Sequence, residues 1–285
     1  MPRAEKGLTV LTTDQIARRR NYLGASEIPA VLGVDPHRSP IDVYLSKTES
    51  LDDITSPAME AGNLLEPVLI QYAEQRVGRP CIERGVMHTL GNLCATLDGR
   101  FSEAEIIEAK TTGIVDGWGD EETDAIPDRV LVQVHQQFVV TGAVIAWVPV
   151  ILARFGLQFR MYRVDRNDDL CSLVSERGEA FMADVQRGRP PVGTPSLEVL
   201  KRIRREPGTW VDVPDDLVAA WLDSKEAAKA ADSAKEQAQA ALLLAFGSAD
   251  GAHSGLGDLT YMETERKAYQ VAAGRYRTLR LKVRK

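Results

Sequence analysis

Between residues 61 and 190 the apolar residues switch repeatedly between a spacing near 3.6 and a spacing of two, and this constrains the fold more than any other feature. Met59–Val77 predicts a helix with Leu65, Val68, Leu69 and Tyr72 on one face, and Pro67 either starts it or kinks it. Met87–Leu90, Leu93–Leu97 and Glu105–Thr111 read as short strands. Pro127–Thr141 returns to helical spacing through Val130, Val134 and Phe138. Val144–Phe155 and Leu157–Val164 read as two strands, the second alternating Leu157, Phe159 and Met161. A helix follows from about Asn167 to Gln186, and Arg189-Pro190-Pro191 ends the run. Alternation of this kind predicts an α/β core.

On either side the pattern changes. Residues 14–60 carry helical patterning with turn signals at Gly33–Pro40. Beyond Pro195 the stretch Asp215–Phe246 is rich in alanine with interspersed charges, which predicts one long helix with Leu217, Trp221 and Ala228 as its buried stripe. Gly247–Gly257 holds four glycines and reads as a loop. From Tyr261 to Lys285 eight basic residues stand against two acidic ones, in a chain whose net charge is −6. Such a tail either touches nucleic acid phosphates or forms a solvated strand pair. Two domains are expected, a core over 1–195 and a C-terminal extension over 196–285 made of the long helix and the basic tail.

Composition excludes several classes. At 285 residues, 44% hydrophobic and 27% charged, the chain sits in the globular range. Its longest apolar stretch, Phe138–Ala153, is interrupted by Thr141, Gly142 and Pro149 and falls short of a bilayer span. The N-terminus lacks the apolar segment of a secretory signal, so a cytoplasmic protein with no membrane partner is expected. Cys81, Cys94 and Cys171 are odd in number and widely spaced, which argues against a disulfide framework or a zinc knot. The four histidines show no metal-binding spacing.

Chemistry concentrates in Thr96-Leu97-Asp98-Gly99 and Ile106-Ile107-Glu108-Ala109-Lys110. Side chains alternate along a strand, so Glu108 and Lys110 point the same way, and Asp98 at the end of the preceding strand brings a second carboxylate beside Glu108. Two carboxylates and a backbone carbonyl suit a hard divalent ion such as Mg²⁺ or Mn²⁺, with a lysine alongside to orient or deprotonate water. An E-x-K triplet alone arises by chance about once in a chain of this size, and an ion pair across one strand face is the plain alternative. Glu66, on the preceding helix, could be an ordinary solvent-facing glutamate. Gln133 and Gln137 share a helix face, so one could hold water or phosphate beside a metal, or both could be simple polar surface.

The ordered set G-N-L-L-E-P (62–67), L-D-G (97–99), I-E-A-K-T-T (107–112) and Q-V-H-Q-Q-F-V-V-T-G (133–142) resembles the YqaJ-type phage recombination exonucleases. These are relatives of phage lambda exonuclease in the PD-(D/E)-x-K nuclease superfamily. Leu23-Gly24-Ala25-Ser26-Glu27-Ile28 and Val31-Leu32-Gly33 are similar to that family's N-terminal motif, so the resemblance covers roughly residues 15–190. It implies an α/β PD-(D/E)-x-K core, a mixed central sheet flanked by helices, to which the pattern beyond Pro195 adds a helix-plus-strand extension. It further implies that Glu66, Asp98, Glu108 and the carbonyl of Ala109 bind the metal, that Lys110 activates water, and that Gln133 supports the site. Arg19, Ser26 and Thr96 would hold the 5′-phosphate, Thr96 standing where the family has serine. His88 replaces an extra acidic residue of some relatives, and His135 replaces the second amide of the family's Q-x-Q.

The function implied is a Mg²⁺- or Mn²⁺-dependent exonuclease that degrades linear double-stranded DNA from its ends, 5′→3′, leaving single strands for phage-type homologous recombination. The resemblance also implies a ring-like homo-oligomer and a single-strand annealing protein as partner, acting in a bacterial host cell if the chain is phage-encoded. An endonuclease of the same fold and a non-catalytic DNA-binding or assembly module are the alternatives.

Overall fold

The computed structural model describes residues 20–52, 56–121, 123–153 and 156–261. Its elements are β1 (Leu23–Gly24), α1 (Ile28–Val31), α2 (Pro40–Thr48), α3 (Pro57–Val77), β2 (Met87–Leu90), β3 (Leu93–Thr96), β4 (Gly99–Ser102), β5 (Glu105–Ile107) and β6 (Lys110–Thr112). There follow α4 (Asp128–Thr141), β7 (Ile145–Ala153), β8 (Leu157–Asp165), α5 (Asp168–Gln186), α6 (Leu197–Arg202), α7 (Asp215–Phe246), β9 (Gly251–Ser254) and β10 (Gly257–Thr260).

The main sheet is mixed. β7 pairs antiparallel with β8 along its whole length, while on its other edge β5 and β6 lie parallel to it one after the other, and β4 closes a hairpin with β5. Alternation along β7 decides what covers each face. Ala146, Val148, Val150 and Leu152 pack with Val130, Val134 and Phe138 of α4. Trp147 turns the other way, towards Ile70 and Ala73 of α3, together with Ile107 and Met161. A sheet sandwiched between α3 and α4 is the architecture the sequence predicted. A smaller sheet sets β1 parallel and β2 antiparallel to β3. Against it Leu23, Leu93 and Ile28 pack with Val174, Phe181 and Met182 of α5. Buried Gln136 ties the two parallel strands together, its Nε2 donating to the carbonyls of Leu23 (2.7 Å) and Cys94 (3.0 Å).

Several boundaries differ from the sequence reading, each for a physical reason. α3 begins at Pro57 and runs through Pro67, so of the two readings for that proline the helix start does not hold. Its buried residues are Leu69, Ile70 and Ala73, and Val68 faces out. The strand expected over Glu105–Thr111 divides into β5 and β6 at Glu108 and Ala109. The register sets Ile107 against Trp147 and Lys110 against Val150, so the amide due to meet the Glu108 carbonyl belongs to residue 149. Residue 149 is proline and has no N–H to give. β4 went unread because Gly99-Arg100-Phe101-Ser102 has too little alternation. On β8, Leu157 and Phe159 are exposed while Met161, Tyr162 and Val164 are buried.

The chain divides into two compact units, 1–207 and 208–285. The composition change at Pro195 therefore precedes the division by twelve residues. Buried Asp42 explains this, since its Oδ1 accepts the amide of Ser196 (2.7 Å) and its Oδ2 accepts the amide and hydroxyl of Ser39 (both 2.9 Å). In the second unit α7 spans the expected residues but buries none of them, so the stripe through Leu217, Trp221 and Ala228 does not form. The glycine-rich stretch after it is an antiparallel hairpin, β9–β10, instead of a loop. The basic residues after Tyr261 lie outside the described residues. No helix among the described residues is long and apolar enough to cross a membrane.

Candidate functional site

The interruption between β5 and β6 is where the polar residues gather. Glu108 is 3% exposed, and its amide still donates to the Trp147 carbonyl (3.0 Å), so the backbone stays in register up to that point. The next amide, that of Ala109, turns to the opposite edge and donates to Asp98 Oδ2 at 2.8 Å. Asp98 occupies the two-residue connection between β3 and β4. Glu66 reaches the same place from the middle of α3. Together Glu66, Asp98, Glu108, Ala109, Lys110 and Thr111 border a cleft of about 260 Å³.

A closed set of contacts holds Glu108. Lys110 Nζ lies 2.6 Å from Glu108 Oε1 and donates to Gln133 Oε1 at 2.9 Å, while Gln133 Nε2 donates to Glu108 Oε1 at 2.6 Å. The other carboxylate oxygen, Oε2, accepts a short hydrogen bond from Gln137 Nε2. Both amides come from one face of α4, a turn apart. Charge-assisted bonds of this kind fix a carboxylate rotamer. Burial pushes the Asp98 carboxyl well above the ordinary carboxylate range, and the negative charges of Glu108 and Glu66 push it further. Lys110 and the Ala109 amide oppose that shift without cancelling it.

The structure brings Glu66, Asp98, Glu108, Ala109 and Lys110 to one cleft, and Gln133 bonds Glu108 and Lys110 from α4. Ser26 is exposed in the turn after β1, and Thr96 ends β3. The parallel register of Leu23 with Leu93 and Gly24 with Cys94 carries both to the same end of the small sheet. Thr96 Oγ1 is buried without a hydrogen-bond partner, as is Thr111 Oγ1 on the cleft wall. Arg19 lies outside the described residues.

Gln137 is one of the two amides the sequence reading offered for holding water or phosphate, and here it holds Glu108 instead. Its i, i+4 relation to Gln133 was the available signal, and the structure turns both amides onto Glu108. His135 is no part of this set. Its Nδ1 contacts the Leu131 carbonyl (2.8 Å) and its Nε2 accepts the Asn167 amide (3.2 Å), which demands a neutral ring protonated on Nδ1.

Among the described residues, no group of three or more His, Cys, Asp or Glu side chains is placed so as to enclose a metal ion. The chemistry of the donor set nonetheless suits a hard cation. Three carboxylates and a carbonyl line one cleft, and the mutual repulsion that raises Asp98 is the kind a bound cation relieves.

Comparison with known proteins bears on the domain and the fold. Residues 16–144 match the model of the YqaJ-like viral recombinase domain. The uncharacterized protein YqaJ of Bacillus subtilis (strain 168) is 28% identical over 187 residues, covering 62% of this chain and 57% of the relative. The chain thus matches little more than half the length of that relative. Among solved structures, the alkaline exonuclease LHK-Exo from Laribacter hongkongensis superposes with a TM-score of 0.52 at 20% identity, covering 62% of this chain and 94% of the exonuclease. The same enzyme in complex with dAMP gives a TM-score of 0.52 at 20% identity, with 67% and 97% covered. Residues 16–144 are thus a match to the YqaJ-like viral recombinase domain, set in an α/β core that shares the fold of an alkaline exonuclease.

Proposed function

We propose that this chain is a metal-dependent nuclease that hydrolyses linear double-stranded DNA from its ends, 5′→3′, and leaves single strands for homologous recombination. The observation that carries the reading is the Glu108–Lys110–Gln133 triangle beside Asp98 and Glu66. An ion pair serving only stability needs neither the two amides turned onto one carboxylate nor two further acids in the same cleft. The matched domain and the shared fold support the reaction class.

Glu66, Asp98, Glu108 and the carbonyl of Ala109 would hold Mg²⁺ or Mn²⁺. Such an ion, when bound, polarises a phosphate oxygen and lowers the pKa of water. Glu108 suits this duty because Gln137 occupies only one lone pair of Oε2. Ala109 suits it because its backbone faces Asp98 and not β7. Lys110 spends two of its three N–H donors on Glu108 and Gln133, and the third would serve water or a phosphate oxygen. Gln133, gripping both partners, keeps that ammonium in place. Ser26 and Thr96, with Arg19, would receive the 5′-phosphate, and the orphaned Thr96 hydroxyl is suited to an anionic oxygen. A ring-like oligomer around DNA and a single-strand annealing partner complete the proposal. Enclosure would let a chain of net charge −6 stay on its polyanionic substrate.

The test incubates the full chain and Mg²⁺ with end-labelled linear duplex, beside a covalently closed circle, with Lys110→Ala and excess chelator as controls. Progressive loss of one strand from the linear DNA only, absent in both controls, is expected. Cleavage of the circle would replace this reading by an endonuclease, and no metal-dependent cleavage would replace it by a binding module.

A further inference from the structure

A second cavity, about 520 Å³, opens at the C-terminal end of α3 against β7 and β8. Its floor is Trp147 and Met161, and Arg76, Arg79 and Arg163 stand around it. The volume is that of an ordinary ligand site. Arg163 lies over the Trp147 ring (6.0 Å to the centroid), and Arg79 lies over Phe101 (5.5 Å). The indole Nε1 of Trp147 is buried with no hydrogen-bond partner.

Each arginine also meets an acid: Arg76 with Glu121 at 3.0 Å, Arg79 with Glu105 at 2.5 Å and Arg163 with Asp165 at 2.8 Å. These contacts orient the guanidinium groups, and Arg76 donates to the Tyr72 hydroxyl as well (3.2 Å). A guanidinium carries five N–H donors in a planar fork, and each of these side chains remains more than a third exposed. Three oriented cations around an aromatic and apolar floor match a ligand that is anionic along one edge and planar along the other. Single-stranded nucleic acid has that chemistry, since its bases stack on aromatic rings or arginine planes while its phosphates take charged donors. An acidic peptide would meet the charges but carries no aromatic base in each repeat to stack on the Arg163 plane.

The cavity and the carboxylate cleft are both lined by α3. Arg76 lies ten residues from Glu66 on α3, about 15 Å along the axis. The Trp147 carbonyl accepts the amide of Glu108 itself.

We infer that this cavity binds one strand of nucleic acid outside the hydrolytic cleft, a base stacking on the Arg163 plane and phosphates meeting Arg76 and Arg79. The choice of ligand rests on the nuclease reading. The contacts that form the site do not.

Binding of a fluorescent single strand of about twelve nucleotides is measured by anisotropy in chelator, so that nothing is cleaved. The full chain is compared with Arg76→Gln/Arg163→Gln and with a charge-matched control, Arg187→Gln/Arg189→Gln, each checked for an unchanged melting temperature. The cavity variant should bind about tenfold more weakly, with its log–log salt dependence shallower by about 0.7, as one lost phosphate contact on a single strand requires, the rest of the loss coming from the stacked base. The control should match the parent. Equal weakening of both variants, no weakening of either, or no binding by the parent would overturn the site. Displacement of the strand by polyglutamate but not by unlabelled strand would reassign it to an acidic peptide and overturn it equally. Cleavage of linear duplex with Mg²⁺ is assayed in parallel. Its failure would remove the nuclease reading while leaving the binding result to stand or fall alone.

Discussion

At the scale of single residues, the site depends on how Glu108 is gripped. Gln137 is fully buried and spends its amide on one carboxylate oxygen. Gln137→Leu should cost about 1–3 kcal/mol of stability, because a buried acceptor loses a charge-assisted bond. It should also weaken divalent-ion affinity by about 10–100-fold, the usual penalty for losing a residue that orients a ligand. Denaturant melts and calorimetric Mg²⁺ titration check the two separately. His135 makes a different prediction. Burial pushes its imidazole below the ordinary value, and the Arg166 charge adds to this against the Leu131 carbonyl. With the folded value depressed below about 6.5, the unfolded chain binds more protons in the window between the two values, so stability rises with pH there. The histidine's contribution is therefore complete above about pH 6.5 and is lost as pH falls through the folded value. Melting temperatures recorded from neutral to mildly acid pH should decline more steeply for the parent than for His135→Gln. Strand alternation set Glu108 and Lys110 on one side, and helix spacing set Gln133 and Gln137 on one face, because both are local rules. That the two amides grip Glu108 was not legible, because it depends on α4 lying across the strand break.

At the scale of elements, the main sheet followed its pattern wherever apolar residues alternated or recurred cleanly, as at α4, α5 and β7. Reading failed where one backbone group decided the outcome. Pro149 sits in a central strand and withholds the donor that would have joined β5 to β6. That effect acts across strands and leaves no mark in the stretch Glu105–Thr111 itself. A second close fit lies between α5 and the small sheet. A Cβ on Gly178 would stand 2.7 Å from Leu93 Cδ2 and 3.3 Å from Leu23 Cδ2. Both leucines are fully packed, so Gly178→Ala should destabilise by about 1–3 kcal/mol despite its better helix propensity. An increase in stability by chemical denaturation would refute the close approach.

At the scale of the whole molecule, the described cores belong to the first unit, and α7 buries nothing. A chain ended after Pro207 should therefore fold with cooperative unfolding and a melting temperature within about 4 °C of the full chain, a shift equivalent to roughly 1 kcal/mol. A chain ended at Pro195 should lose more, since Asp42 then keeps its burial but loses the amide of Ser196. Burial raises the Asp42 carboxyl, and the bonds from Ser39 and Ser196 outweigh it and hold the group below the usual value. Differential scanning calorimetry of the two truncations separates these cases. The amide of Ala109 has a use of its own. Because it leaves the sheet and donates to Asp98, its proton resonance is a resident witness to the charge on that acid. A nuclear magnetic resonance titration watching one backbone signal would report cation arrival at the cleft without substrate, dye or turnover.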